Sequence, residues 1–341
     1  MLTIDGSRGE GGGQVLRTAL ALSLCKQRAF RIINVRARRP RPGLRPQHFA
    51  AVRAAAAICN AHVEGAAIGA QALTFVPGKV KPGEYRFSIG TAGSTSLVLQ
   101  TVLPALLTAD RPSDLQLEGG THNPRAPTFE CLTKGYLPLI ERMGPRVAIA
   151  LERPGFEPAG GGLVRVKIEP VRHLEPLHIE QRGALSRIEG EVLLSKLPHH
   201  IAEREAIVLA NMLDLENEAI ARRIVNNSPG PGNVVTVSAI SEHVTEVFVG
   251  FGRRGVPAEE VARGVARSTR DYLATGAPIG TYLADQLLLP LALGGSGSYV
   301  TLPLSQHALT NIRVIQEFLP LDIRCTVTTD ENWRIEIAEP L

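Results

Sequence analysis

Aromatic residues are scarce in this chain, at 4% of 341 residues with a single Trp. That scarcity argues against proteins that read nucleic acid by stacking bases on aromatic platforms. There are four cysteines, Cys25, Cys59, Cys131 and Cys325, and no two stand at a metal-ligand or disulfide spacing. A zinc site and a disulfide framework are thereby set aside, and buried small thiols in a reducing compartment are expected. No apolar run reaches the ~18 residues needed to cross a bilayer, and there is no charged-then-apolar leader with a small-residue cleavage site. The expectation is a soluble, cytoplasmic protein with no membrane attachment. Charge of one sign does not dominate either. A formal net charge of +4 and a pI near 9.0 are compatible with an anionic partner and require none.

What the chain has in quantity is apolar residues, 44% against 21% charged, enough core for two domains. It also has an internal repeat. Three segments share a Gly-rich or small-residue turn leading into an apolar helix: Gly9–Gly13 into Val15–Leu24, Gly90–Ser94 into Leu97–Leu107, and Gly280 into Tyr282–Leu293. A second pattern follows each, with a polar or Pro-containing approach, an amphipathic helix and two strands. In the first copy these are about Gln47–Asn60, His62–Glu64 and Ala72–Val76. In the second they are about Thr128–Met143, Arg146–Leu151 and Leu163–Ile168, and in the third about Ala308–Phe318, Ile323–Thr328 and Trp333–Ile337. Strands such as Val164-Arg165-Val166-Lys167-Ile168 alternate apolar and polar residues, so each sheet should bury one face. The reading is an α+β fold whose large domain, residues 1–183 and 276–341, holds three helix-pair-on-sheet units. Residues 184–275 follow their own order of strands and helices between Pro/Gly-rich loops, and read as a smaller inserted α/β domain.

Chemistry concentrates first at Asp5-Gly6-Ser7-Arg8-Gly9-Glu10-Gly11-Gly12-Gly13-Gln14-Val15-Leu16-Arg17. Glycines between a short apolar run and a helix let backbone N–H groups approach an anion, with a helix N-terminus behind them. Glu10 sits in the middle and Arg17 about one turn into the helix. This suits a phosphate and its metal. It is not a Walker loop, because no Gly-Lys-Ser/Thr closes it, and the glycine spacing misses the dinucleotide fingerprint. A plain flexible turn also fits this stretch alone. Next comes Arg36–His48, with five arginines and three prolines in thirteen residues. Prolines stiffen the segment, guanidinium forks suit phosphate oxygens, and the run ends at a helix start. A nucleic-acid strand ending in phosphate is a natural ligand. Loops Gly90–Ser96 and Gly119–Pro127 offer further small-residue turns, the second of a kind that often lines a cleft. Near the end, His307 occupies in the third copy the place of Gln47-His48 in the first, and a neutral imidazole is a competent nucleophile toward phosphorus.

These residues carry a resemblance. Gly9-Glu10-Gly11-Gly12-Gly13-Gln14 with Arg17, Pro42-Gly43-Leu44 with Gln47-His48, Gly90-Thr91-Ala92-Gly93-Ser94, Gly155-Phe156-Glu157-Pro158 and His307-Ala308-Leu309-Thr310-Asn311 resemble the RNA 3′-terminal phosphate cyclase family over essentially the whole chain. The resemblance implies a fold related to the enolpyruvyl transferases. It also implies an ATP-dependent ligase that converts an RNA 3′-phosphate end to a 2′,3′-cyclic phosphate through a covalent histidine–AMP and an RNA–adenylate anhydride. On that basis His307 is the nucleophile, with Arg17, Arg39 and Glu10 beside it in catalysis, and Glu10 is the ligand of a divalent metal, Mg or Mn. Arg36, Arg39, Gln47 and His48 contact the RNA end. Gln100, Pro127, Tyr282, Asp285 and Gln286 form the adenylate pocket. Two rivals share the architecture. One is a non-catalytic RNA-binding scaffold of ribosome assembly, which lacks the histidine that His307 supplies here. The other is an enolpyruvyl transferase, which needs no covalent histidine.

Overall fold

Each repeat folds as the same strand–helix–strand–helix–strand–strand unit in the computed structural model, which describes residues 1–328 and 332–339. The first unit is β1 (Leu2–Asp5), α1 (Gly13–Lys26), β2 (Phe30–Ile33), α2 (Pro46–Cys59), β3 (His62–Glu64) and β4 (Leu73–Val76). The second is β5 (Glu84–Ser88), α3 (Thr95–Leu106), β6 (Ser113–Gly119), a π-helical stretch (Cys131–Tyr136) running into α4 (Leu137–Glu141), β7 (Arg146–Arg153) and β8 (Gly162–Glu169). The third opens with β9 (Leu177–Ile179) and is then interrupted. Between come β10 (Leu185–Ser195), α5 (His200–Leu213), β11 (Ile220–Val225), β12 (Gly232–Ser241), β13 (Thr245–Phe251) and α6 (Ala258–Thr275). The unit resumes with α7 (Thr281–Leu293), β14 (Gly297–Thr301), α8 (Gln306–Phe318), β15 (Asp322–Val327) and β16 (Trp333–Ala338).

The three sheets have one topology: β1-β2-β4-β3, β5-β6-β8-β7 and β9-β14-β16-β15. In each, the first two strands run parallel and the others antiparallel. The mixed α+β class expected from the sequence is the one observed. Sequence reading missed β2, β5, β6, β11 and β14. Each is a run of four to seven residues, and several carry Gly or Ser at their ends, which reads as turn rather than strand. What makes them strands is pairing with a neighbour, as Phe30–Ile33 pairs with both β1 and β4.

One hydrophobic core serves all three units. At its centre lies α1, whose Leu16, Ala19, Leu20, Ala21, Leu22 and Leu24 are at most 1% exposed. Apolar on every side, it packs against α2, α3 and α8, so elements of all three copies meet around it. The strands show the expected alternation: in β8, Val164, Val166 and Ile168 are buried while Arg165, Lys167 and Glu169 are exposed. Residues of β10–β13 build a fourth sheet, in the order β11-β10-β12-β13. Its core is separate, formed with α5 and α6. Phe156, from the loop before β8, packs on that fourth sheet beside Leu193 and Val234.

Candidate active site

In each unit the parallel strand pair sends its two outgoing loops off the same edge of the sheet, the usual place for ligands in parallel arrangements. The residues singled out from sequence all lie on these loops or in the helices they enter. Glu10 follows β1 and Arg17 lies in α1. Arg36 and Arg39 follow β2, Gln47 and His48 open α2, and Gln100 is in α3. Pro127 follows β6, Tyr282, Asp285 and Gln286 are in α7, and His307 is the second residue of α8.

Hydrogen bonds join a subset of them into one network. His307 Nδ1 lies 2.8 Å from Gln14 Oε1, and Gln14 Nε2 donates to Asp285 Oδ1 at 2.5 Å. Because the amide nitrogen of Gln14 is committed to a carboxylate, its oxygen is what faces the imidazole. His307 must therefore carry its proton on Nδ1 and leave the Nε2 lone pair free. Nε2 stands 3.7 Å from Glu10 Oε1. Asn311 Nδ2 donates to Asp285 Oδ1 at 3.1 Å as well. Burial pushes the Asp285 carboxyl up, while the bonds from Gln14 and Asn311 and the charge of Arg17 are among the influences that pull the other way. Arg17 is brought down to about 10 by desolvation, with Asp285 opposing, so it stays charged.

Glu10 is held from both sides. Its backbone N–H donates to Thr310 Oγ1 at 2.9 Å, and its carboxylate pairs with Arg39, which also donates to the Glu10 carbonyl at 3.1 Å. Two glycines make this packing feasible. Gly9 has φ +59° and lies against Thr310, and a Cβ on Gly13 would overlap the His48 ring and crowd Arg17. Glu10 Oε2 is buried with no hydrogen-bond partner. No three His, Cys, Asp or Glu among the described residues are grouped to hold a metal. A divalent ion here would draw on Glu10 Oε2 as a single protein ligand and take the rest from phosphate oxygens and water, a common pattern for Mg²⁺.

Other singled-out residues sit in separate contacts. Buried His48 accepts from the Arg45 backbone N–H at 3.1 Å through Nδ1. Desolvation, with Arg17, Arg36 and Arg45 adding to it, drops its pKa to about 3, so it is neutral at any working pH. Arg36 donates to the carbonyls of Arg41 at 2.6 Å and Gly43 at 3.1 Å, bracing the arginine-rich loop on itself. Gln47 Oε1 accepts from the Ser94 backbone N–H at 3.4 Å, tying the first copy to the second. The Pro127 carbonyl accepts from Ser96 Oγ at 2.6 Å. Gln100 Nε2 donates to Gln286 Oε1 at 2.8 Å, and Gln286 donates to the Tyr282 carbonyl at 3.1 Å. Tyr282 is 85% exposed. Sequence reasoning gave no role to Gln14, Thr310 or Asn311, although all three lie within the quoted motifs. All three are polar side chains buried in the first turns of α1 and α8.

Comparison with known proteins places the chain in a family. The sequence model of the RNA 3′-terminal phosphate cyclase family matches residues 8–325. Curated proteins of that name are similar along almost the full length. The one from Koribacter versatilis is 47% identical over 332 residues, 97% of this chain and 93% of that protein. The one from Pseudomonas fluorescens is 48% identical over 326 residues, 96% and 95%. The one from Ralstonia nicotianae is 48% identical over 332 residues, 97% and 95%. With its glycine loop, arginine run and C-terminal histidine gathered at one edge of three like sheets, this chain belongs to the RNA 3′-terminal phosphate cyclase family.

Proposed function

We propose that the protein is a cytoplasmic, ATP-dependent cyclase of RNA 3′-phosphate ends, working through a histidine–AMP. The observation that carries this reading is the Asp285–Gln14–His307 chain, which fixes the imidazole tautomer with its outer nitrogen free. Family membership and the names of the curated relatives support the substrate. In the first step His307 Nε2 attacks the α-phosphorus of ATP. A P–N bond forms, the bond to the β-phosphate oxygen breaks, and pyrophosphate leaves. An oxygen of the RNA 3′-phosphate then attacks the same phosphorus, the P–N bond breaks, and a P–O–P anhydride joins RNA to AMP. Last, the ribose 2′-hydroxyl loses its proton and attacks the RNA phosphorus, closing the ring and expelling AMP.

The protein's part is positioning and charge neutralisation. Gln14 holds the His307 proton on Nδ1 and stabilises the ring as positive charge builds during attack. Arg39 and Arg17 supply fixed positive charge at the oxygens where negative charge grows. A divalent metal, Mg or Mn, on Glu10 would neutralise phosphate charge. Tyr282, Gln286, Gln100 and Pro127 would receive the adenylate, and Arg36, Gln47 and His48 the RNA end. Residues 1–183 and 276–341 form the catalytic domain, with 184–275 as an inserted domain. The test is intact-mass analysis after incubation with ATP and metal but no RNA. Wild type should gain one adenylyl group on His307, and His307→Ala should gain none, cyclise nothing and melt normally. Label on another residue, or turnover by His307→Ala, would overturn the proposal.

A further inference from the structure

A groove of about 560 Å³ opens on the far side of the glycine loop. Its floor is apolar, formed by Ile4, Val15 and Val314, each at most 4% exposed. Two guanidinium groups, Arg8 and Arg313, line it together with the carboxyl groups of Asp5 and Glu317. Arg8 leans toward Asp5 at 4.0 Å, while Arg313 has no ion pair or side-chain hydrogen bond among the described residues. Glu317 Oε2 is buried without a partner, and burial raises its carboxyl.

This groove adjoins the reaction centre. One wall is Gly9 and Thr310, and Thr310 Oγ1 is the group that accepts the Glu10 backbone N–H at 2.9 Å. His307, Thr310, Val314 and Glu317 are spaced three and four apart on α8, so they share one stripe of the helix. Arg313 is six residues beyond His307, roughly 9 Å along the axis at 1.5 Å per residue. A terminal phosphate held at His307 would therefore lie within about two helical turns of the groove. The volume falls within the usual range for small-ligand pockets. An apolar floor suits the face of a base, the two carboxyl groups suit donors on its edge, and arginines at the rim suit the connecting phosphate.

We propose that this groove holds the RNA nucleotide immediately 5′ to the one bearing the terminal phosphate, a reading that rests on the cyclase activity proposed above. The enzyme would thereby distinguish a polynucleotide end from a free nucleoside 3′-phosphate, which reaches the His307 centre and leaves the groove empty. Arg313 is exposed and outside the His307 network, so its replacement should leave the fold and the ATP step intact.

The experiment compares wild type, Arg313→Glu and Arg313→Lys in three measurements: label transfer from ATP to protein without RNA, equilibrium binding of a fluorescent 3′-phosphorylated oligonucleotide at two salt concentrations, and cyclisation kinetics. Arg313→Glu should weaken oligonucleotide binding and raise the KM for RNA about tenfold, with kcat, protein labelling and melting temperature unchanged. The logarithmic salt dependence of binding should flatten by about one phosphate contact. Arg313→Lys should recover most of the affinity. Equal binding and equal salt dependence in wild type and Arg313→Glu, with wild type active, would overturn the groove assignment alone. A wild type that neither labels nor cyclises would overturn the functional reading, and this assignment with it.

Discussion

In the mechanism proposed above, Gln14 is the residue on which the readiness of His307 depends, and replacing it isolates that role. Its oxygen holds the His307 Nδ1 proton at 2.8 Å and its nitrogen is anchored on Asp285 at 2.5 Å. Gln14→Met keeps the length and roughly the volume of the side chain and removes both bonds, and Gln14→Ala removes the volume too. Asp285 retains Asn311 at 3.1 Å in either variant, so the carboxylate is not orphaned and the fold should survive. The ring then loses one hydrogen bond that orients it, holds its tautomer and strengthens as the ring becomes cationic. A bond of that kind contributes about 1.5–3 kcal/mol, which corresponds to a rate loss of roughly 10- to 160-fold. The loss should fall on transfer of label from ATP to protein, followed by rapid quench. Release of AMP from pre-labelled enzyme to RNA should slow less, because there the ring is a leaving group and needs no free lone pair at the start. Wild-type labelling rates in Gln14→Met, with an unchanged melting temperature, would refute the claim that this amide prepares the histidine.

Arg39→Ala should cut cyclisation at least ~100-fold, since it removes charge from both Glu10 and the reacting phosphate; near-wild-type kinetics on a 3′-phosphorylated oligonucleotide would remove Arg39 from the site. Glu246, buried on β13 beside the Gly280 backbone N–H at the start of α7, is raised by desolvation to about 8 from an ordinary 4.5, with Cys131 and Tyr272 close by. The folded protein keeps a proton there that the unfolded chain releases above about 4.5, so this stability is full below that pH and is lost as pH rises through about 8. Glu246→Gln should therefore melt higher than wild type at pH 9 and no higher at pH 5, which thermal scans at the two pH values would check.

How much of this was legible beforehand depends on distance along the chain. The glycine loop, the arginine run and the repeats are local patterns, and they were found where the structure has them. The strand lying between the two helices of a unit was not found, because runs such as Phe30–Ile33 and Gly297–Thr301 show no period of their own and become strands by pairing on both sides, parallel with one neighbour and antiparallel with the other. The network at His307 was harder still. Gln14 meets Asp285 across 271 residues and His307 across 293, and nothing in a single sequence couples those positions. Gln100 illustrates the same limit: read by itself it is an ordinary polar residue of a helix, and only the resemblance singled it out.

The repeat explains why contacts of such long range are made reliably. In each unit a parallel pair delivers two loops and two helix starts to one sheet edge, and the shared core around α1 fixes how the units meet. The first copy then contributes Glu10, Gln14 and the arginines, the second the Ser94–Gln100 helix start and Pro127, and the third Asp285 and His307. The third unit holds His307 and Asp285, and the Gln14 that joins them comes from the first, so the network forms only when the copies pack. This also accounts for the polar side chains buried at the interfaces between copies. The Thr18–Asn311 bond of 2.8 Å joins α1 to α8 in the interior, where two apolar residues would pack as well and would leave the register of α8 on α1 unspecified. A slip of one turn there would move His307 about 5.4 Å from Gln14, so the buried polar pair and the reactive imidazole are parts of one constraint.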